Sequence, residues 1–409
     1  SGGRIRNCGS AWIKTCLMAE PSTLLLGLLF LAVAAGWVLG RSASASDKGE
    51  DKSPPSQYYL GLNFLLDGEQ ESALKAFSDA LAVNAETFET HITFGSLLRK
   101  RGEVDNAIKI HQSLLSRSKL PDVQKNQAHL ELAKDFIAAG LLDRAEQLLK
   151  DLIDLSVDHQ ADARVLLIDV YEASRDWVQA RQLAESQLVE VSSQQEPAAV
   201  ARASAIREKL AHYCCEAAED DDMRGDTESA GRLATEALNW CDDAVWPQII
   251  LARLDHKGDK AQEAYDRLMR LAQASPDRLP EFIQDLLVVS DEIDRRDDVT
   301  DLLSALLEHT QDPQMRVIAA EEYLARGQQA RALDVIKQGL LTQPSPKLLR
   351  QAIELLGEDV VSPEVIAGAQ RLASRQSAYL CGVCGFHGPS FYWQCPGCKS
   401  WDTLHRPKQ

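Results

Sequence analysis

Apolar and polar positions follow two different patterns along this chain. From Pro21 to Gly40 the sequence PSTLLLGLLFLAVAAGWVLG carries no charge. At about 1.5 Å per residue a helix of that length spans roughly 30 Å, the thickness of a bilayer's hydrocarbon core. The pattern therefore predicts a transmembrane anchor over 18–40, with Trp37 near the interface and Arg41 ending the run. From Gln57 onward the pattern becomes helical and repeats itself. Small residues punctuate it as Gly68/Ala73, Gly102/Ala107, Gly140/Ala145, Gly225/Ala230 and Gly327/Ala332. Twelve residues before those alanines stand Gly61, Gly95, Ala133, Ala218 and Ala320, and large apolar residues such as Phe77, Leu149 and Ile336 follow four places after several of them.

The first two of these glycines lie 34 residues apart and the next 38 further on. This spacing resembles the tetratricopeptide repeat, a helix–turn–helix unit. Small residues on both helices let two backbones approach, and glycine supplies the positive φ needed where the first helix ends. Degenerate copies are read around Arg175-Asp176-Trp177 with Ala180, around Gly258 with Ala264, and around Asp291–Asp301. The expectation is a mostly α chain, a tetratricopeptide-repeat superhelix of about eight helix pairs over 57–356. The acidic run Glu216–Asp222 reads as a solvated face, and the adjacent Cys214 and Cys215 as packed residues. Residues 357–378 read as a linker helix.

The last stretch, 379–409, carries the candidate chemistry. Cys381 and Cys384 form one C-x-x-C pair, and Cys395 and Cys398 form the other. Two such turns can close a tetrahedron of thiolates around a metal. Gly385 suits a sharp knuckle turn, and Pro396 and Gly397 lie inside the second pair. A segment this short cannot fold on apolar burial alone. Zinc contributes roughly 10–16 kcal/mol of apparent free energy to modules of this kind. The expectation is one metal ion, zinc first and iron second, in a rubredoxin-like ribbon with no open position for a catalytic water. Two disulfides are the alternative, and they require an oxidising compartment. Tyr392, Trp393 and Trp401 would suit packing of this module on the last repeats.

The N-terminal region changes the picture in one respect. The chain opens on Ser1, and Met18 directly precedes the apolar run, so residues 1–17 read as a non-native or upstream leader. With Met18 as start, no Lys or Arg precedes the anchor, whereas Arg41, Lys48 and Lys52 follow it. The positive-inside rule then places the rest of the chain in the cytoplasm. A cleaved signal peptide ending at Ala43-Ser44-Ala45 is the competing reading. Residues 41–56, which include SASASDKGEDKSPPS, read as a flexible tether.

Charge and motif content narrow the function. A formal net charge of −17 opposes binding of nucleic acid or anionic lipid by the bulk of the chain. There is no P-loop, no G-x-S-x-G and no H-E-x-x-H, and the histidines, including His91, His111, His129 and His387, are scattered. Three readings follow: a non-enzymatic adaptor, a rubredoxin-like electron carrier, or a zinc ribbon that binds nucleic acid through Lys399, Arg406 and Lys408.

The order of anchor, tether, repeats and thiolate knuckles, with Tyr379, Cys381, Cys384, Gly385, Phe386, Tyr392, Trp393, Cys395, Pro396, Cys398, Trp401 and Thr403, resembles the lipopolysaccharide assembly protein B (LapB) family of Gram-negative bacteria. The resemblance runs from about Met18 to the end, and the tail is its specific part. Lys399 stands where a rubredoxin places a glycine, which argues against electron transfer. The resemblance implies an inner-membrane adaptor with its repeats in the cytoplasm. It implies that the four cysteines hold the metal. It also implies partnership with the membrane-bound FtsH protease, which degrades the LpxC deacetylase as client, and with other lipopolysaccharide assembly proteins. Nucleic acid is not among the expected partners; a homodimer is left open.

Overall fold

The computed structural model describes residues 88–406 apart from 117–119, 195, 310–311, 357–361 and 376–378, together with positions 61, 63–64 and 72. The leader 1–17, the anchor 18–40, the tether 41–56 and the first repeat signature around Gly68/Ala73 lie outside the described residues. Among the described residues no helix is long and apolar enough to cross a membrane.

Among the described residues sixteen α-helices run in chain order, and from the second onward each packs on the next. They are α1 Phe88–Lys100, α2 Val104–Leu115, α3 Asp122–Ala138, α4 Leu142–Leu155, α5 Gln160–Ser174, α6 Trp177–Ser192, α7 Pro197–Met223, and α8 Thr227–Trp240. The series continues with α9 Val245–Lys257, α10 Ala261–Ala274, α11 Leu279–Glu292, α12 Arg296–His309, α13 Pro313–Ala325, α14 Gln329–Thr342, α15 Pro346–Leu356 and α16 Pro363–Arg375. A 3-10 turn, Pro276–Arg278, precedes α11.

The helix pairs share one turn chemistry. Gly102, Gly140, Gly225 and Gly327 all have φ between +69° and +86°. The N–H one residue later reaches back to a carbonyl of the preceding helix, as Glu103 to Leu98, Asp226 to Asp221 and Gln328 to Tyr323. This is the left-handed helix stop that favours glycine. Three further pairs make the same turn without glycine: Arg175, Asp259 and Asp294 have φ of 56–58° and the same return bond from Asp176, Lys260 and Arg295. In the copy read around Gly258 the left-handed residue is therefore Asp259, one place later.

Five residues after each turn comes the packed position. Ala107, Ala145, Ala180, Ala230, Ala264, Val299 and Ala332 are all fully buried. Their small size sets the helix separation, and replacing Ala107 by leucine would overpack it by about 1–3 kcal/mol. Asp176, Asp226 and Asp312 cap α6, α8 and α13 by accepting a backbone N–H. The core runs on through clusters around Tyr171–Tyr213, Cys214–Trp246 and Phe282–Leu303. Cys214 and Cys215 are both buried in it.

The tail is a small β-module. Strand β1 (Tyr379–Cys381) lies between β2 (His387–Gly388) and β3 (Leu404–His405), antiparallel to both. The pairing Leu380↔His405 and Cys381↔Leu404 fixes the start of the module against its end.

Candidate metal centre

The two C-x-x-C segments fold into knuckles with matching backbone bonds. In the first, Gly385 N–H donates to the Cys381 carbonyl at 3.0 Å, and Cys381 N–H to that of Phe386 at 2.8 Å. In the second, Lys399 donates to Cys395 at 2.9 Å and Cys395 to Ser400 at 2.8 Å. Gly385 has φ +74° and Lys399 has φ +59°, so the lysine adopts the left-handed turn despite its Cβ. Gly397 lets the knuckles approach, because a Cβ there would stand 3.3 Å from both Cys384 Sγ and Phe386 Cβ.

These turns bring Cys381, Cys384, Cys395 and Cys398 together, with all four sulfurs within 4.8 Å of one another. Cys381 and Cys398 sulfurs are 3.7 Å apart, as are those of Cys384 and Cys395. A tetrahedron with metal–sulfur bonds of ~2.3 Å has edges of about 3.8 Å, whereas a disulfide needs about 2.05 Å. The donor set therefore fits a single thiophilic ion, and the cysteines are free thiols. Thr403 Oγ1 lies 3.3 Å from Cys381 Sγ and Ser400 Oγ 3.4 Å from Cys398 Sγ. Thr403 beside it, with nearby backbone, draws the Cys381 thiol down to about 5, and Ser400 likewise lowers Cys398. Such groups favour the thiolate that a metal requires.

The module is seated on the repeats. Trp401 stacks on His212 of α7, with ring centres 4.7 Å apart and planes 10° apart. Trp393 stacks on Trp246 of α9 at 5.0 Å and 10°. Trp401 also meets Trp177 and Tyr213 edge-on. Glu172 of α5, 7% exposed, accepts from Gln394 Nε2 at 2.9 Å, from Trp401 Nε1 at 3.5 Å and from the Tyr213 hydroxyl at 2.5 Å. Burial, followed by Glu172, pushes the Tyr213 phenol far up, so it stays a donor.

Charged pairs frame this aromatic centre. Asp402 accepts from His212 Nε2 at 2.9 Å and from Arg278 at 3.1 Å. Burial opposes its charge, but His212 and Arg278 outweigh that and hold its carboxyl below the usual value. Arg406 reaches Glu281 at 2.7 Å, Asp312 at 3.0 Å and the Asp277 carbonyl at 3.0 Å. Burial pushes the Glu281 carboxyl up against the pull of Arg406. Arg278 lies over the rings of Phe391 and Trp393.

The seat is thus on the middle of the array, α5 to the start of α13, and not on the last repeats. Trp393 and Trp401 face inward as their chemistry suggests, whereas Tyr392 is 43% exposed. Arg406, read from the sequence as part of a basic tail, is spent on Glu281 and Asp312. The partners Glu172, His212, Trp246, Arg278 and Glu281 escaped sequence reading. Their only signals are an isolated His-Tyr pair and aromatic residues in otherwise ordinary helices. Among the scattered histidines, His111 is wholly buried and bonded to Asp135 at 2.5 Å.

Comparison with known proteins agrees with this anatomy. Residues 379–406 match the family described as the rubredoxin metal binding domain. Lipopolysaccharide assembly protein B of Escherichia coli strain K12 is 28% identical over 392 residues, covering 93% of this chain and 97% of that protein. Its counterpart in Haemophilus influenzae Rd is 26% identical over 397 residues, with the same coverage. Among solved structures, the C-terminal part of a tetratricopeptide-repeat protein from Cytophaga hutchinsonii matches with TM-score 0.35 and 12% identity, covering 72% of this chain and 99% of that one. An assembly chaperone of RpL4 matches with TM-score 0.34 and 12% identity, covering 71% and 100%. A chain of helix pairs ending in a four-cysteine, rubredoxin-like ribbon, it is similar to lipopolysaccharide assembly protein B over 93% of its length.

Proposed function

We propose that this protein serves lipopolysaccharide assembly as a non-enzymatic adaptor at the inner membrane. In this reading residues 18–40 anchor it, the repeats face the cytoplasm, and it helps the FtsH protease degrade the LpxC deacetylase. The near full-length similarity to lipopolysaccharide assembly protein B supports the pathway. The observation that carries the adaptor role is the seat itself: the first helices of the repeats already grip a polypeptide segment through stacked aromatics and paired charges. A surface that grips one segment is suited to recruit another without chemistry of its own. Anchoring adaptor and protease in one membrane raises their effective concentration.

The ion in this reading is zinc, which is redox-inert and structural in a closed four-thiolate site. Purified protein is then colourless, whereas iron in the same site absorbs visible light. In cells carrying only the Cys381→Ser variant, the deacetylase accumulates above its wild-type level. An unchanged level, with the variant protein present at normal abundance, overturns the proposal.

A further inference from the structure

The second knuckle has docking residues at both ends. Trp393 and Gln394 lead into it, Trp401 and Asp402 lead out, and the Gln394–Trp401 bridge closes it. Cys395 and Cys398 lie between. Apart from the backbone bonds of the knuckle itself, little within the module fixes this loop. The module's buried set is Cys381, Cys395 and Leu404, and its strands have two or three residues. So small a core does not hold a fold by apolar burial, and the thiolate-bound ion does so instead. The spacing of the two indoles, and hence their fit to His212 and Trp246, depends on the ion.

The receiving surface is built differently. Glu172, His212, Trp246 and Glu281 stand on helices of 13 to 27 residues whose cores lie within the repeats. The join between the two is also imperfectly satisfied: Glu281 Oε2, Arg406 Nε and Trp177 Nε1 are buried without hydrogen-bond partners. Arg406 Nε belongs to the tail, but Glu281 Oε2 and Trp177 Nε1 lie on the receiving surface, where a competing segment can gain what the tail leaves unmade.

We propose that the ion-bound tail is an exchangeable occupant of this surface. With the ion held, Trp393 and Trp401 cover it. When the ion leaves, the tail unseats and the surface from α5 to the start of α13 opens to a segment of the same chemistry. Such a segment carries an aromatic side chain with an N–H donor for Glu172 and a cationic side chain for Glu281 and Asp312. The unseating rests on the tail's geometry alone; calling the incoming segment a client rests on the adaptor reading above.

The test uses the purified full chain, ion-loaded or stripped by a chelator, with ion content measured and helical ellipticity confirmed. The probe is a labelled synthetic peptide of residues 399–406, which carries Trp401 and Arg406 but no cysteine. Stripping is expected to raise amide exchange in α5, α7 and α9 and to tighten peptide binding at least tenfold. The Trp401→Ala variant, which keeps all four cysteines, is expected to bind the peptide more tightly than wild type while still holding its ion. Unchanged exchange on stripping, equal peptide binding in the two forms, or a Trp401→Ala variant no better than wild type overturns the proposal. None of these readouts depends on deacetylase levels, so the adaptor reading stands or falls separately.

Discussion

Gly95 and Gly102 stand seven residues apart and are needed for opposite reasons. A Cβ on Gly95 would come within 2.4 Å of His111 Nε2. That ring is wholly buried and tied through Nδ1 to Asp135, which also accepts from Arg99 at 2.6 Å. The ring cannot retreat without breaking the bond, so Gly95→Ala should destabilise the fold by about 1–3 kcal/mol. Gly102 has open space around its Cα but φ +84°, so Gly102→Ala should cost roughly 1–2 kcal/mol through the backbone alone. Urea melts of a double-mutant cycle separate the two. His111→Ala should relieve the penalty at Gly95 and leave that at Gly102 untouched. The repeat spacing singles out Gly95 as a small position opposite Ala107. It does not show that a histidine one turn further on fills the space, because the register of a spacing rule names positions and not the shapes of neighbours.

At the scale of elements, the turns show what a glycine signature can carry. Gly102, Gly140, Gly225 and Gly327 are legible because glycine is the cheapest residue at positive φ. Arg175, Asp259 and Asp294 make the same turn, and no residue type announces it. The four cysteines are legible because C-x-x-C spacing is local, and the knuckles close within it. Their seat is not local. Asp402 meets Arg278 across 124 positions and Gln394 meets Glu172 across 222. Two single changes test that seat. Arg406→Ala strands the buried Glu281 carboxylate, at a cost of about 3–5 kcal/mol to docking. Asp402→Asn removes the acceptor shared by His212 and Arg278. The lowered carboxyl of Asp402 gives a contribution complete above its ordinary value of 3.8 and lost only as pH falls through the lowered one. Mild acid therefore does not remove it, and the substitution does. Hydrogen exchange at pH 7 should show α7 and α9 deprotected in Asp402→Asn, with the ion retained.

The whole molecule departs from an ordinary repeat array in one respect. In such arrays each unit touches only its neighbours, so stability is a sum of local terms and unfolding can spread piecemeal. Here the tail reaches Glu172 on α5, His212 on α7, Trp246 on α9, Glu281 on α11 and Asp312 before α13. One ion-bound module therefore couples five successive helix pairs that otherwise communicate only in series. Loaded protein should melt in one sharp transition, with van't Hoff and calorimetric enthalpies for the central pairs in agreement. Stripped protein, or Cys395→Ser, should melt over a broader range, with the van't Hoff enthalpy falling below the calorimetric one. The helical content at low temperature should stay nearly the same, because the helix pairs keep their own cores. A stripped protein that melts as sharply as the loaded one would show that the tail rests on the array without joining its parts. Scanning calorimetry on matched samples decides between the two, since the width of the transition and not its midpoint reports whether distant pairs unfold together.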